Sequence, residues 1–292
     1  MTLDNGALLC YGWNMHASHS SINSYLRCGK AFELEKIKNY PTTPAWWLIG
    51  GSAVHSVTEA YDKGDRWADL DLMAEDCLYD EIQKAVKIEP DEEKWLAGGY
   101  GRNQQRFHHW SQKVQDYAHQ WADMAWGHDA DHTFVELDVS TVLPSGLEVK
   151  GYVDRVKVYM YDCMIEITDL KTGSTRPDSD QQLGIYAALT RNWFQTKFGL
   201  PVVGQFAMIA NNYMFKDDTF YDVPIDHWTL DTVDKMAQQW YAGISNEVFL
   251  PVRGKGCERC SVADACFLQS GDTPITREYD SLNPYYMGVV NG

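Results

Sequence analysis

Residues 147–197 run as two strand-like stretches and then a helix-like one, and this change of period narrows the folds open to the chain. The stretches 147–160 and 163–171 meet at a turn that begins at Tyr161-Asp162. Asp178 to Asp180 then offer caps for a helix reaching roughly residue 197. Asp154 falls on the first stretch, Asp169 and Lys171 on the end of the second, and Gln182 and Tyr186 on the helix. Successive side chains of an extended chain alternate faces, so Asp169 and Lys171 share a face while Leu170 points into the packing. A carboxylate and an ammonium side by side at a strand end, with a second carboxylate on the preceding strand, suit metal-assisted phosphodiester hydrolysis. Mg²⁺ and Mn²⁺ take oxygen ligands, and a metal so held can make a bound water more acidic and offset charge on the scissile phosphate. Lys171 would hold or deprotonate that water, or stabilise the transition state. A D-x-K triplet by itself is more often an ordinary strand-end salt bridge.

The rest of the chain surrounds this unit with helices and further strands. Residues 20–35 place Ile22, Tyr25, Leu26 and Phe32 at helical spacing behind Ser20, with Cys28 near the end. A second helix is expected from Gly50-Gly51, carrying His55 and Glu59 one turn apart, so that Glu59 can support His55. Apolar stripes predict helices over 67–88 and 104–126, and their aromatic residues read as core. Alternation returns at Val135, Leu137 and Val139; further strands are expected at 202–210 and 219–224, and a helix at 229–245. The fold class is therefore α/β, with a central mixed sheet and a helical N-terminal elaboration.

Composition excludes several alternatives. No run of about 18 apolar residues exists, so no membrane span is expected. The first twenty residues lack the basic start and apolar centre of a signal peptide, which points to a soluble cytoplasmic protein. The net charge of -16 argues against general nucleic-acid binding, but the charge is uneven. Residues 59–94 carry 13 acidic and 5 basic side chains, whereas 102–113 carry Arg102, Arg106 and Lys113 with no acid. That basic run is either a DNA contact or a solvated helix face. No G-x-x-x-x-G-K-[ST] sequence occurs, so any helicase or recombination motor would be a separate protein.

The seven cysteines include Cys257, Cys260 and Cys266 in a C-x2-C-x5-C arrangement. Three thiolates this close can wrap a soft metal centre, either zinc or an iron–sulfur cluster. A common zinc ribbon has two C-x2-C pairs and this chain has one, so a fourth ligand must come from afar. Cys10, Cys77 and Cys163 read as ordinary buried cysteines.

Five short patterns occur in order: Gly51 to His55 as G-x-x-x-H, a strand led by Glu136, Gly151 to Arg155 as G-x-x-D-R, Asp169 to Gly173 as D-x-K-T-G, and Gln182 to Tyr186 as Q-x-x-x-Y. The chain thereby resembles the RecB-like branch of the PD-(D/E)XK nuclease family over most of its length. The resemblance implies a restriction-endonuclease-like core and one nuclease domain over 1–292. Within it, 20–126 would be mainly helical, 133–245 the nuclease core, and 250–270 a cysteine segment closing onto Cys28. It implies that His55, Asp154, Asp169 and the Leu170 carbonyl bind Mg²⁺ or Mn²⁺, that Lys171 is catalytic, and that Gln182 and Tyr186 steady the site or the DNA. Arg155 and Arg176 join Arg102 and Arg106 as candidate DNA contacts. The iron–sulfur members, such as AddB-type subunits and the CRISPR-associated exonucleases of the fourth Cas class, place one cysteine in the N-terminal helix and three near the C-terminus. Cys28 occupies the matching position, which favours a structural [4Fe-4S] cluster over zinc. The implied activity is a metal-dependent DNA exonuclease acting on single-stranded or unwound ends. A non-catalytic DNA-binding or scaffold subunit with the same fold is the alternative.

Overall fold

The computed structural model describes residues 15–64, 69–98, 105–125, 130–173, 176–195, 200–208 and 220–270. A short strand β1 (Ala17–Ser18) leads into α1 (His19–Arg27), whose capping box at Ser18 uses both the side chain and the backbone N–H. The expected continuous helix over 20–35 is broken at Cys28, which is extended at φ -165°, before α2 (Gly29–Phe32) and a π turn, Glu33–Ile37. The break has a packing cause. A Cβ on Gly29 would lie 2.9 Å from the Leu250 backbone nitrogen, so the chain bends here to admit the C-terminal segment.

Three helices form one layer: α3 (Trp46–Asp62), α4 (Leu70–Val86) and α5 (Phe107–Ala125). The helix expected from Gly50 starts four residues earlier, because its glycines serve packing and not initiation. A Cβ on Gly50 would sit 2.0 Å from the Trp110 ring, so α3 and α5 touch closely there. Trp46, Val54, Val57, Leu78, Val114, Tyr117 and Trp121 fill this layer, joined by Leu170 and Ala207 from the sheet.

The strands are β2 (His132–Asp138), β3 (Thr141–Val142), β4 (Glu148–Lys150), β5 (Tyr152–Tyr159) and β6 (Met164–Lys171), followed by α6 (Gln181–Gln195). After α6 come β7 (Val202–Met208), β8 (Phe220–Val223) and α7 (Leu230–Ser245). The main sheet has the order β2-β5-β6-β7-β8, with β6 and β7 parallel across the α6 crossover and the other pairs antiparallel. The strand expected over 147–160 is divided at Gly151, because β4 joins a second small sheet, β1-β4-β3. Ile165, Ile167, Val156, Leu183, Leu189 and Trp240 belong to the second core, formed with α6 and α7. The sheet is thus mixed and covered by helices on both faces, as the sequence pattern implies.

Among the described residues no helix is long and apolar enough to cross a membrane. Cys163 stands exposed, at φ 50° in the β5–β6 turn, and Cys77 is half-buried, which corrects the expectation that both are buried; Cys10 lies outside the described residues.

Gly50→Ala is expected to destabilise the protein by about 1–3 kcal/mol, as overpacking does. Gly254→Ala, where nothing lies within 4 Å of the added carbon, should fall within about 0.5 kcal/mol of the parent. Equilibrium urea melts of the two variants check this.

Candidate active site

The ends of β5 and β6 bring the acidic residues together because the two strands form a tight hairpin in continuous register. Asp154 sits one position beyond the Arg155–Thr168 pair, and its Oδ2 accepts a hydrogen bond of 2.7 Å from the Leu170 backbone N–H. His55, midway along α3, places Nδ1 3.5 Å from the same oxygen. Close docking of α3 permits this reach: a Cβ on Gly51 would be 3.3 Å from Thr172 Oγ1, just beyond Lys171. Glu136 supplies a further carboxylate from β2, between the Val135–Arg155 and Leu137–Val153 pairs. Its φ is 50°, a left-handed conformation that costs a non-glycine residue energy and is held here by the flanking ladder.

His55, Glu136 and Asp154 each offer a ligand atom within 4.8 Å of the others, and no other such group of three or more occurs among the described residues. They line an open cleft together with Glu59, Asp62, Trp121 and Leu170. Burial holds the Asp154 carboxyl well above its ordinary range, helped by the charges of Asp169 and Glu136; the Leu170 N–H opposes the shift. Glu136 is pushed up by burial and then by Glu59. Burial moves His55 the other way, toward the neutral imidazole that binds metal.

Asp169 and Lys171 share a face, as strand alternation requires, and form an ion pair. Asp169 Oδ2 is buried, with the Lys171 ammonium directly against it. Gln182, in the first turn of α6, links the pair: Lys171 Nζ donates to its Oε1 at 2.7 Å, and its Nε2 donates to Asp169 Oδ1 at 2.6 Å. Tyr186 is one turn farther on, its hydroxyl 3.5 Å from Gln182 Nε2, and burial raises its pKa strongly. The start of α6 is fixed by Ser179 Oγ, which accepts from the Gln181 N–H, and by Asp180, which accepts from Trp228 Nε1.

This grouping differs from the sequence expectation in several particulars. Glu136 joins His55 and Asp154, whereas Asp169 is engaged with Lys171 and Gln182. The signal for Glu136 was present, since it lies in the strand that pairs with the Asp154 strand. The Leu170 N–H bonds Asp154 and its side chain is buried in the helical layer, which leaves the expectation for its carbonyl as it was. Glu59 pairs with Lys63 and not with His55. His19, at the start of α1, was missed altogether. Burial and the charge of Lys171 bring it down to about 4, so it stands neutral at pH 7 within electrostatic reach of that lysine.

The candidate DNA-contacting arginines divide. Arg155 is 3% exposed with its guanidinium 4.3 Å over the Trp121 ring, so it cannot touch DNA; alternation along β5 turns it into the helical layer. Arg106 pairs with Glu93 at 2.6 Å, Arg176 lies 4.4 Å over the Tyr221 ring, and Arg102 is outside the described residues.

The cysteines converge at Val252. Its N–H donates to Cys28 Sγ at 3.4 Å, and Cys257 Sγ donates to its carbonyl at 3.8 Å. Cys260 and Cys266 pack with Leu34 and Val262 in a third small core, where burial raises the Cys260 thiol. One zinc ion with bonds of about 2.3 Å needs its sulfurs within about 4.6 Å of one another. Among the described residues no three of these sulfurs lie within 4.8 Å of one another.

A sequence profile of the PD-(D/E)XK nuclease superfamily matches residues 16–267. The chain is 26% identical over 270 residues to the Gene 69 protein of Mycobacterium phage D29, covering 85% of this chain and 95% of that protein. It is also 26% identical over 290 residues to the Gene 69 protein of Mycobacterium phage L5, with the same coverage. A crystal structure from Eubacterium rectale, named "Putative exonuclease", superposes with a TM-score of 0.49 and 14% identity, over 89% of this chain and 92% of that one.

Ligand carboxylates must lose their protons to bind a metal, and the fold favours the protonated forms of Asp154 and Glu136. These two groups therefore contribute stability to the metal-free protein at low pH, and that contribution is lost as pH rises through their elevated values. The thermal shift produced by Mn²⁺ should accordingly grow between pH 5 and pH 8 and shrink in Asp154→Asn. A shift independent of pH, measured by differential scanning fluorimetry, would contradict this account.

Proposed function

The chain belongs to the PD-(D/E)XK nuclease superfamily, and on that premise we propose that it is a metal-dependent DNA exonuclease of the RecB-like branch. Substrates would be single strands or unwound ends in recombination, repair or CRISPR-type processing. The observation that carries the reading is the convergence of His55, Glu136 and Asp154 beside the Asp169–Lys171–Gln182 chain. Two carboxylates and one imidazole form a donor set suited to Mg²⁺ or Mn²⁺, with the Asp169 carboxylate beside it in its ion pair with Lys171. A divalent metal, when bound, supplies charge neutralisation and a more acidic water.

The protein's own groups have separate tasks. His55, Glu136, Asp154 and Asp169 would hold the metal, and the Leu170 N–H keeps the Asp154 carboxylate aimed. Gln182 fixes the Lys171 ammonium by accepting a hydrogen bond from it, while Asp169 balances its charge. Lys171 is then positioned to donate to a phosphate oxygen or orient the attacking water, for in-line displacement at phosphorus without a covalent enzyme intermediate. Tyr186, neutral and next to Gln182, steadies that amide.

Cys28, Cys257, Cys260 and Cys266 are proposed to hold a structural [4Fe-4S] cluster that fastens the C-terminal segment to α1. Support comes from the C-x2-C-x5-C spacing and from the meeting of Cys28 and Cys257 at Val252.

Lys171→Ala and Asp154→Ala should each lower Mn²⁺-dependent nucleotide release from end-labelled DNA by about 10²–10⁴-fold. Activity persisting in both purified variants would sink the assignment, and DNA binding without cleavage in any metal would favour a scaffold role. Sparing of circular single strands would separate exonuclease from endonuclease. Anaerobically purified protein should contain iron and sulfide; zinc without either would reject the cluster.

A further inference from the structure

We propose that Trp47 together with Arg253, Lys255 and Arg259 forms the track along which a single DNA strand enters the acidic cleft. This rests on the nuclease reading above and adds the surface that the substrate uses.

The geometry begins on α3. Trp47, Gly51 and His55 are spaced four apart, so they lie on successive turns along one side of the helix. His55 belongs to the cleft, and Gly51 abuts Thr172 at the end of the strand that carries Lys171. At 1.5 Å per residue, Trp47 stands about 12 Å from His55 along the axis, within a few nucleotides of the acidic group. The stripe thus connects the cleft to the N-terminal end of the helix without leaving one surface.

At that end the cysteine segment supplies positive charge. The guanidinium of Arg259 lies over the Trp47 ring, 5.8 Å from its centroid. Arg259 closes the 3-10 turn Lys255–Arg259, which is held near α3 by a 2.9 Å hydrogen bond from the Thr43 N–H to the Ser261 carbonyl and by Ser261 Oγ on Glu35. Arg253, Lys255 and Arg259 are exposed, and none has an ion-pair partner among the described residues. Glu258 is the one acid between Arg253 and Arg259. In a chain of net charge -16, such a local cationic group answers the need that phosphates impose.

An indole beside a guanidinium also offers a stacking plane, which any base accepts through its π-face. A duplex hides its base faces, so this pairing favours an unpaired strand. The cationic entrance and the acidic cleft have opposite signs: phosphates would be drawn first to the cysteine segment and pass to the cleft only where a metal offsets its carboxylates.

Trp47 also packs on the helical core, so the decisive variant changes exposed residues alone. Arg253→Glu/Arg259→Glu is compared with its parent, both in a Lys171→Ala background, by the anisotropy of labelled oligothymidylate in Mn²⁺ across a salt series. Affinity is expected to fall about tenfold or more, and the salt slope by about 1.4, about 0.7 for each phosphate of a single strand that an arginine no longer neutralises. With Lys171 intact, the double variant should hydrolyse bis(p-nitrophenyl) phosphate at the parental rate, showing an undisturbed cleft. Unchanged affinity, no single-strand binding by the parent, or equal losses for single and double strands would overturn the proposal. If the parent binds and the variant does not, but the protein with Lys171 intact releases no nucleotide from DNA in any divalent metal, the track stands and the nuclease reading falls.

Discussion

Three carboxylates crowd the end of the central sheet, and their mutual repulsion is the constraint around which the rest is arranged. Asp154 and Glu136 are both driven toward their protonated forms, each sensing Asp169 as well as its own burial. Leaving like charges half-buried is costly unless hydrogen bonds and counter-charges are built in. The structure supplies them locally: the Leu170 N–H for Asp154, and the Lys171 ammonium and Gln182 amide for Asp169. Glu136 bears an added backbone cost, its φ of 50° being tolerated because strand pairing resumes on either side. A local arrangement this unfavourable persists only on a rigid frame, and two helical layers clamped on the sheet provide one.

The frame also explains which glycines matter. Gly50 and Gly51 are neighbours on α3 with different tasks: one lets the Trp110 ring press against the helix, the other lets the helix approach Thr172. Together they set the depth at which α3 lies and hence how far His55 reaches. On the opposite layer, the Trp228 ring fills the space over Gly184 while its indole N–H donates to Asp180, which fixes the first turn of α6 and so Gln182. The residues of β5 and β6 are thus gripped from both faces by helices whose own positions depend on tryptophan–glycine packing.

Much of this was legible in the sequence, for identifiable reasons. The helical stripes of α4, α5 and α7 show their period directly, and β6 and β7 also fall within a few residues of the stretches expected. Asp169, Lys171, Gln182 and Tyr186 lie close in sequence on a strand–helix unit, and local geometry was enough to group them. What sequence could not supply depends on pairing between distant segments. The division at Gly151 reflects β4 leaving for a second sheet, and the kink at Cys28 reflects the approach of Leu250. Arg155 misled because a basic residue next to an acidic one looks like surface, whereas strand alternation turns it onto Trp121. Glu136 was undervalued because its strained backbone is invisible to pattern reading.

The seam between α1 and the segment after α7 has a consequence for how the molecule is made. Tyr25 donates to the Val248 carbonyl across 223 positions, and Val252 donates to Cys28 across 224. Lys30 is nearly inaccessible there, its backbone N–H bonded to the Leu250 carbonyl and its ammonium paired with Glu33. Synthesis on the ribosome delivers the sheet and its carboxylates well before this closing strip emerges. The nascent chain therefore holds α1 without its cover until residues 248–252 have emerged, and the joining of these two segments comes late, at the slow pace that distant contacts impose.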